Sequence, residues 1–282
     1  MTEPAQGRRE QNRETRNHDL LFAATEIIAT EGVEGLTMQA VADNVGCAVG
    51  TIYTYFDSKS GLLAALQVNA IQTLIDTFTA SAESWEHAIS KADLDPAVAA
   101  LARLVAIGHI FVAAGDIHER EFDLLQMLIS TPADLTTDSD RQDVIPLALE
   151  LLDTVRVFID LAILVGALSL PSSDSSVSRA VRWAGGINGA LLVSNVGIEV
   201  SRRNPTIFDG QALALSLAQD LLVSWGAPLH DLESANMFVD DLIATDQLVA
   251  RNPRSLIDLT TITAPQSPST ILRDYLIDGL PQ

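Results

Sequence analysis

Residues 46–56, GCAVGTIYTYF, gather two of the chain's three tyrosines, a phenylalanine and two glycines into eleven positions. Tyrosine and threonine hydroxyls that face outward donate to a phosphate oxygen, and an aromatic ring can lie against a thymine methyl. Tyr53 and Tyr55 cannot both face the same core as Ile52 and Phe56, so at least one must expose its ring; an interhelical aromatic cluster is the competing reading. Gly50 allows another surface to approach the backbone closely. Lys59 lies in the first turn of the helix that follows, where a cation opposes the macrodipole by about 0.3–1 kcal/mol. Beside a phosphate the same position becomes favourable, because lysine and helix N-terminus both attract the anion. A solvated lysine is the plainer alternative. Thr37 has the chemistry both to cap a helix and to donate to phosphate.

Other chemistries find little support. The five histidines (18, 87, 109, 118 and 230) form no HExxH motif, no CxxC or GxSxG occurs, and HERE at 118–121 reads as a solvated helix start. We therefore expect no enzyme, no metal and no cofactor. RWAGGINGALL (182–192) is a poor phosphate loop, since no strand precedes it. Its glycines, each about 1 kcal/mol less favourable than alanine in a helix, point instead to close helix approach. Cys47 is the single cysteine, which excludes an internal disulfide framework, fits a reducing cytosol and reads as a small apolar residue in a turn. The longest apolar stretches, 98–115 and 157–170, are each interrupted by an ionisable residue, so neither is expected to offer the roughly 20 clean residues of a bilayer span. The polar N-terminus lacks an apolar signal core. A cytoplasmic protein without a membrane partner is the expectation.

Two of the ionisable residues in apolar runs are candidate ligand contacts. Asp160 can pair with Arg156 one turn away or face a ligand, and His109 can be a neutral core histidine or a ligand group. Phe111, Phe122, Met127 and Phe158 are the aromatic and sulfur neighbours that would line the same pocket or simply the core.

The elements that must position these groups are helices. Leu20, Leu21, Ala24, Ile27 and Ile28 recur at helical spacing, predicting a helix over about 11–31 with Gly32 at its exit. Thr37 starts a second, with an apolar face of Met38, Val41, Ala42 and Val45, which Gly46 ends after about two turns. A third short helix buries Ile52 and Phe56, and a long fourth begins behind Asp57 or Ser58. Further helices are predicted near 96–114, 118–130, 144–169, 176–202, 209–225 and, more weakly, 231–250. Two short helices joined by a glycine turn after a longer one form a helix-turn-helix arrangement. The net charge of −20 argues against an acidic partner, but its distribution does not: residues 67–244 carry −15 and residues 1–66 only −4, with Arg8, Arg9, Arg13 and Arg16 clustered at the start.

The run GLTMQAVADNVGCAVGTIYTYFDSKSGLLAAL (35–66) resembles the DNA-binding head of the TetR family of bacterial transcriptional regulators. Gly35, Thr37, Val41, Ala42, Gly46, Gly50, Thr51, Tyr53, Tyr55, Phe56, Lys59, Leu62 and Leu63 fit the family pattern in order. The resemblance implies an all-α chain, with a helix-turn-helix head at 19–66 behind a flexible basic arm at 1–18. It implies a helical ligand-binding and dimerisation domain at 67–252 and leaves a C-terminal tail at 253–282. It further implies a repressor that binds a palindromic double-stranded operator as a homodimer and is released by an unidentified small apolar ligand. A non-enzymatic protein-interaction scaffold is the alternative. The DNA contacts carried over are Thr37, Ala48, Val49, Gly50, Thr51, Tyr53, Thr54, Tyr55 and Lys59, with Arg13 and Arg16 from the arm. Ala48 stands where the family usually has a capping serine, and Val49 where a cation is frequent. With no Lys or Arg in 48–56, bidentate guanine readout is absent from this helix, leaving Val49, Gly50, Thr51, Thr54 and the tyrosines to discriminate bases. Dimerisation is expected through helices near 176–202 and 209–225, where Leu213, Leu217, Leu221 and Leu222 are read as one face. In the tail, about 270–279 is expected to form an amphipathic helix ordered only by docking.

Overall fold

The computed structural model describes residues 3–130, 138–193 and 209–249. The tail and the helix expected at 270–279 lie outside them. All regular structure among the described residues is α-helical. The chain forms α1 (Glu3–Gly35), α2 (Met38–Val45), α3 (Val49–Ile52), α4 (Lys59–Lys91), α5 (Pro96–Ile117), α6 (Glu119–Ser130), α7 (Asp138–Leu164), α8 (Ser176–Val193), α9 (Gly210–Ser224) and α10 (Leu229–Ala244). It divides into two compact units. The head unit holds α1 to α3, α4 up to Leu74, α6 and the start of α7; the body unit holds the rest of α4 and α7 with α5, α8, α9 and α10.

The head core follows the apolar spacing of the sequence. Leu20, Leu21, Ala24 and Ile27 of α1 meet Met38, Val41 and Ala42 of α2, Ile52 and Phe56, and Leu62, Leu63 and Leu66 of α4. Ile28 and Val45 stay at the margin, half-buried. Leu124 of α6 completes this cluster, a member that periodicity did not assign to the head. The helix of α1 breaks at Gly32 (φ 72°, ψ 179°), the expected exit, but it begins at Glu3, ahead of the expected start near 11. No proline follows until well beyond Gly32 and Gly7 is the single glycine between residues 5 and 31, while Pro4 sits in the first turn, where its missing N–H has no intrahelical partner to lose.

In the body, Trp85, Phe158 and Trp183 are fully buried. Trp85 meets Phe78 and Phe158 edge-on, at ring centroid separations of 5.6 and 6.1 Å, as ring quadrupoles favour. Helix α5 is surrounded by core on nearly all sides. By length and composition it could span a bilayer, contrary to the reading of its interruptions, since one arginine and one histidine do not make it polar; yet 72% of its apolar window is buried inside the protein. Its Arg103 forms a bidentate pair with Glu86 of α4 (2.6 and 2.5 Å), and the Trp85 indole N–H donates to the same carboxylate at 3.1 Å. Helix α7 starts earlier than expected, at Asp138, and carries Pro146 within it. It also stops earlier, at Leu164, because Gly166 takes φ 79° and Leu168 N–H closes the end on Ala162 O at 3.0 Å.

Candidate nucleic-acid interface

Thr37 caps α2: its hydroxyl oxygen accepts from the Ala40 N–H at 3.0 Å. Gly46 closes the same helix in the left-handed region (φ 70°, ψ 43°), and the Cys47 N–H joins it on the Ala42 carbonyl at 2.9 Å. A β-carbon is strained in that conformation, so glycine is what lets the chain reverse after two turns. Ala48 then stands at the start of α3 without a side-chain cap, as the departure from the usual serine implied. The regular helix lasts one turn and continues as hydrogen-bonded turns, with Tyr55 and Phe56 N–H both on Ile52 O at 2.9 and 3.0 Å.

Because Ile52 and Phe56 point into the core, their neighbours point out. Tyr53 is 51% exposed, Ala48, Gly50 and Thr54 are exposed, and Val49 and Thr51 are half-buried. Tyr55 is half-buried against the head core, with the Arg13 guanidinium 6.0 Å from its ring centroid, within cation–π range. The Thr54 hydroxyl donates to Thr51 O at 2.7 Å, so its proton is committed within the turn. Gly50 has a negative φ, and a β-carbon there would meet nothing within 4 Å. The fold therefore does not require glycine at position 50. Cys47 is a free, half-buried thiol packed at the margin of the head core.

Lys59 corrects one sequence argument. Its ammonium donates to the Val33 carbonyl at 2.9 Å, 26 residues back, so the position has a structural use apart from any phosphate. The Val33 carbonyl also accepts from the Leu36 N–H at 3.2 Å, and only the tertiary fold brings the lysine to it as a second donor. Of the two residues expected before α4, Ser58 caps it: its Oγ accepts from Gly61 N–H at 3.0 Å. Arg16 is half-buried on α1. Arg120 of α6 pairs with Glu26 of α1, an exposed contact that no spacing rule could reveal.

The six ligand candidates do not gather. Phe122 and Met127 belong to the head unit, Met127 packed on its core. Phe158 is wholly buried beside Trp85, and Phe111 lies edge-on to Trp183 at 6.0 Å. Asp160 is half-buried and held by Arg156, which also binds Asp153 at 2.5 Å; the local ion pair accounts for it. His109 alone among them lines a cavity of about 280 Å3, bounded by α5, α9 and the end of α10. Burial pushes its pKa below the usual value against the opposing influence of Asp240, so it is neutral at pH 7.

Of the helices expected at a dimer interface, residues 176–193 and 209–225 fall within the described residues. Of the α8 glycines, only Gly186 serves close approach within the chain: a β-carbon there would lie 2.8 Å from Leu217 Cδ2 of α9. Gly185 and Gly189 would meet nothing within 4 Å and continue an exposed strip with Val177 and Val181. The four leucines of α9 do not share a face, since Leu222 is buried and Leu213 exposed; Ala214, Ala218 and Leu222 form the inward row.

The geometry of the head agrees with comparison. Residues 20–66 match the model of the bacterial regulatory proteins of the tetR family. They form a TetR-family head. The fatty acid degradation regulator FadR from Bacillus halodurans is similar in fold to the chain, with a TM-score of 0.50 at 16% identity over 75% of this chain and 97% of that one. Further similar structures are RolR in complex with resorcinol (16% identity, 80% of this chain and 95% of that one, TM-score 0.49) and SmeT, the repressor of the Stenotrophomonas maltophilia multidrug efflux pump SmeDEF (17%, 74% and 88%, TM-score 0.46). No curated protein matches the sequence significantly. The chain thus has the fold and the head of a TetR-family transcriptional regulator. In that head residues 48–54 span the second helix of the helix-turn-helix with its N-cap and the turn that follows it.

Proposed function

We propose that the protein is a cytoplasmic, homodimeric repressor that binds a palindromic operator and releases it when a small molecule binds the body. The observation carrying the reading is the surface of residues 48–54. Tyr53 is exposed without a structural partner to explain it, and Gly50 leaves an opening the fold does not need. A neutral, closely approachable helix face fits base edges, while cations must come from its flanks. Arg13, braced on Tyr55, and Lys59, held at the start of α4, are those flanks. Thr37 adds a hydroxyl at the start of α2, and Arg16 lies one turn from Arg13. A second copy fits the strip of Val177, Val181, Gly185 and Gly189, whose small residues allow close helix contact without any clash inside one chain. Two heads held in that way would read two half-sites related by a two-fold axis.

Fragments of genomic DNA retained by the purified protein identify the operator, and fluorescence anisotropy against salt then tests the reading. Specific binding to an inverted repeat with a negative log K against log [salt] slope is the expected outcome. Binding to protein partners with no DNA retention would replace the regulator by a helical interaction scaffold.

A further inference from the structure

Residues 48–54, AVGTIYT, hold no arginine, lysine, asparagine, glutamine, aspartate or glutamate. Those are the side chains that pair through hydrogen bonds with guanine, adenine and cytosine edges in the major groove. What the row offers a partner is mostly hydrocarbon. Ala48 and Gly50 are exposed and Val49 is half-buried, which leaves a methyl group, a bare stretch of backbone and part of an isopropyl group open to contact. Thr54 is exposed, but its hydroxyl proton goes to the Thr51 carbonyl at 2.7 Å, so beyond a lone pair it has a methyl group to offer. The same carbonyl accepts the Thr54 N–H at 3.1 Å, which holds the residue in the turn. Tyr53 is exposed and brings one hydroxyl, with a single proton to donate.

On the reading of this face as the one that meets base edges, we propose that it selects thymine through the C5 methyl group, with Val49 and Thr54 as the residues that make the choice. Thymine is the one base with a methyl group in the major groove; guanine presents two acceptors there, O6 and N7, and adenine and cytosine each present an amino donor. A guanine edge brought against Val49 and Thr54 gives up its water and finds no pair of donors, and a buried acceptor left unpaired costs more than an ordinary hydrogen bond gains. A thymine methyl has no hydrogen bond to lose, and its contact removes apolar surface from water on both sides. Val49 and Thr54 stand five residues apart, a rise of about 7.5 Å along a helix, so they meet different thymines. Arg13 and Lys59 hold the duplex from the flanks by charge, and phosphate contacts carry no base preference of their own.

The test uses the full-length protein and the operator recovered from genomic DNA, read by fluorescence anisotropy. Each half-site thymine is replaced in turn by deoxyuridine, which keeps every hydrogen-bonding group and removes only the methyl. Burial of one methyl corresponds to about a fourfold change in affinity, so deoxyuridine is expected to weaken binding about three- to fivefold at one or two positions of each half-site, and about tenfold or more when the symmetric position is changed as well. Thr54→Ser keeps the hydroxyl and removes the methyl at an exposed position, and Val49→Ala removes two methyls at the margin of the head core. Each variant is expected to bring the ratio of thymine to deoxyuridine affinity close to one at one position and to leave it intact at the other. Urea midpoints taken alongside show whether Val49→Ala weakens the fold; the deoxyuridine series on the native protein does not depend on it. Specific operator binding with no deoxyuridine effect at any half-site position, or a half-site without thymine, overturns the methyl readout and leaves the repressor reading standing. An effect of full size in both variants assigns the preference to duplex deformability and overturns it as well. Absence of any sequence-specific DNA binding overturns the regulator reading itself, and the methyl readout with it.

Discussion

Replacing Gly50 by alanine should move stability and DNA affinity in opposite directions. The added methyl meets no atom within 4 Å, and the backbone there is not in the left-handed region, so the folded head accepts it without strain. Glycine in a helix is about 0.5–1 kcal/mol less stable than alanine. The helix here is one turn long and continues as looser turns, so the lower end applies: about 0.5 kcal/mol of added stability. If the face of residues 48–54 packs on the major groove, the same methyl stands between backbone and DNA. Holding the surfaces apart by one methyl costs at least the contacts of that turn, and a loss of about 1.4 kcal/mol is a tenfold weaker complex. Urea unfolding and operator anisotropy, run on the same preparations, measure the two quantities. Unchanged operator affinity with raised stability would remove Gly50 from the interface and with it the main support for groove insertion by this face. Lowered stability would refute the reading of an open site.

Lys59→Ala should lose about 1 kcal/mol of stability in urea unfolding through the Val33 hydrogen bond, and should also reduce the salt slope of operator binding by about 0.9 if the ammonium also meets a phosphate; an unchanged slope leaves only the structural use. His109 has its folded pKa below the unfolded value of about 6.5, so the unfolded chain binds more protons as pH falls through that value. Its contribution to stability is therefore full above pH 6.5 and declines below it, and His109→Gln should flatten the fall in urea midpoint between about pH 6.5 and 5. A β-carbon at Gly185 or Gly189 meets nothing within 4 Å and both positions are exposed, so leucine at either should leave helicity intact. Sedimentation equilibrium should nonetheless show a weakened dimer if the strip of α8 is the contact, and a native dimer would move the interface elsewhere.

The head shows most plainly what could be read in advance. Leu20, Leu21, Ala24, Ile27, Met38, Val41, Ile52 and Phe56 were legible as core because burial of one helix face imposes a period of three to four residues. Gly46 and Thr37 were legible because a left-handed turn and an N-terminal cap each favour a few residue types for local steric and hydrogen-bonding reasons. The order Thr37, Gly46, Gly50, Tyr53, Lys59 then located the candidate interface, since all its parts fall within 23 positions of chain.

Contacts between distant residues followed no such rule. The lysine on the Val33 carbonyl and the arginine beside Tyr55 depend on which helices lie together. In the body the sequence determined helices and an apolar interior but not the site, because Phe111, Phe158, Asp160 and His109 share the same amphipathic signal whether they face core, solvent or a cavity. Asp116, Gln211 and Asp246 carry no mutual spacing, being 95 residues apart at the first step, and only the packing of α5 against α9 and α10 sets them around one space. Helical period is a local property enforced by every turn; the convergence of polar groups is a property of packing, which periodicity does not encode.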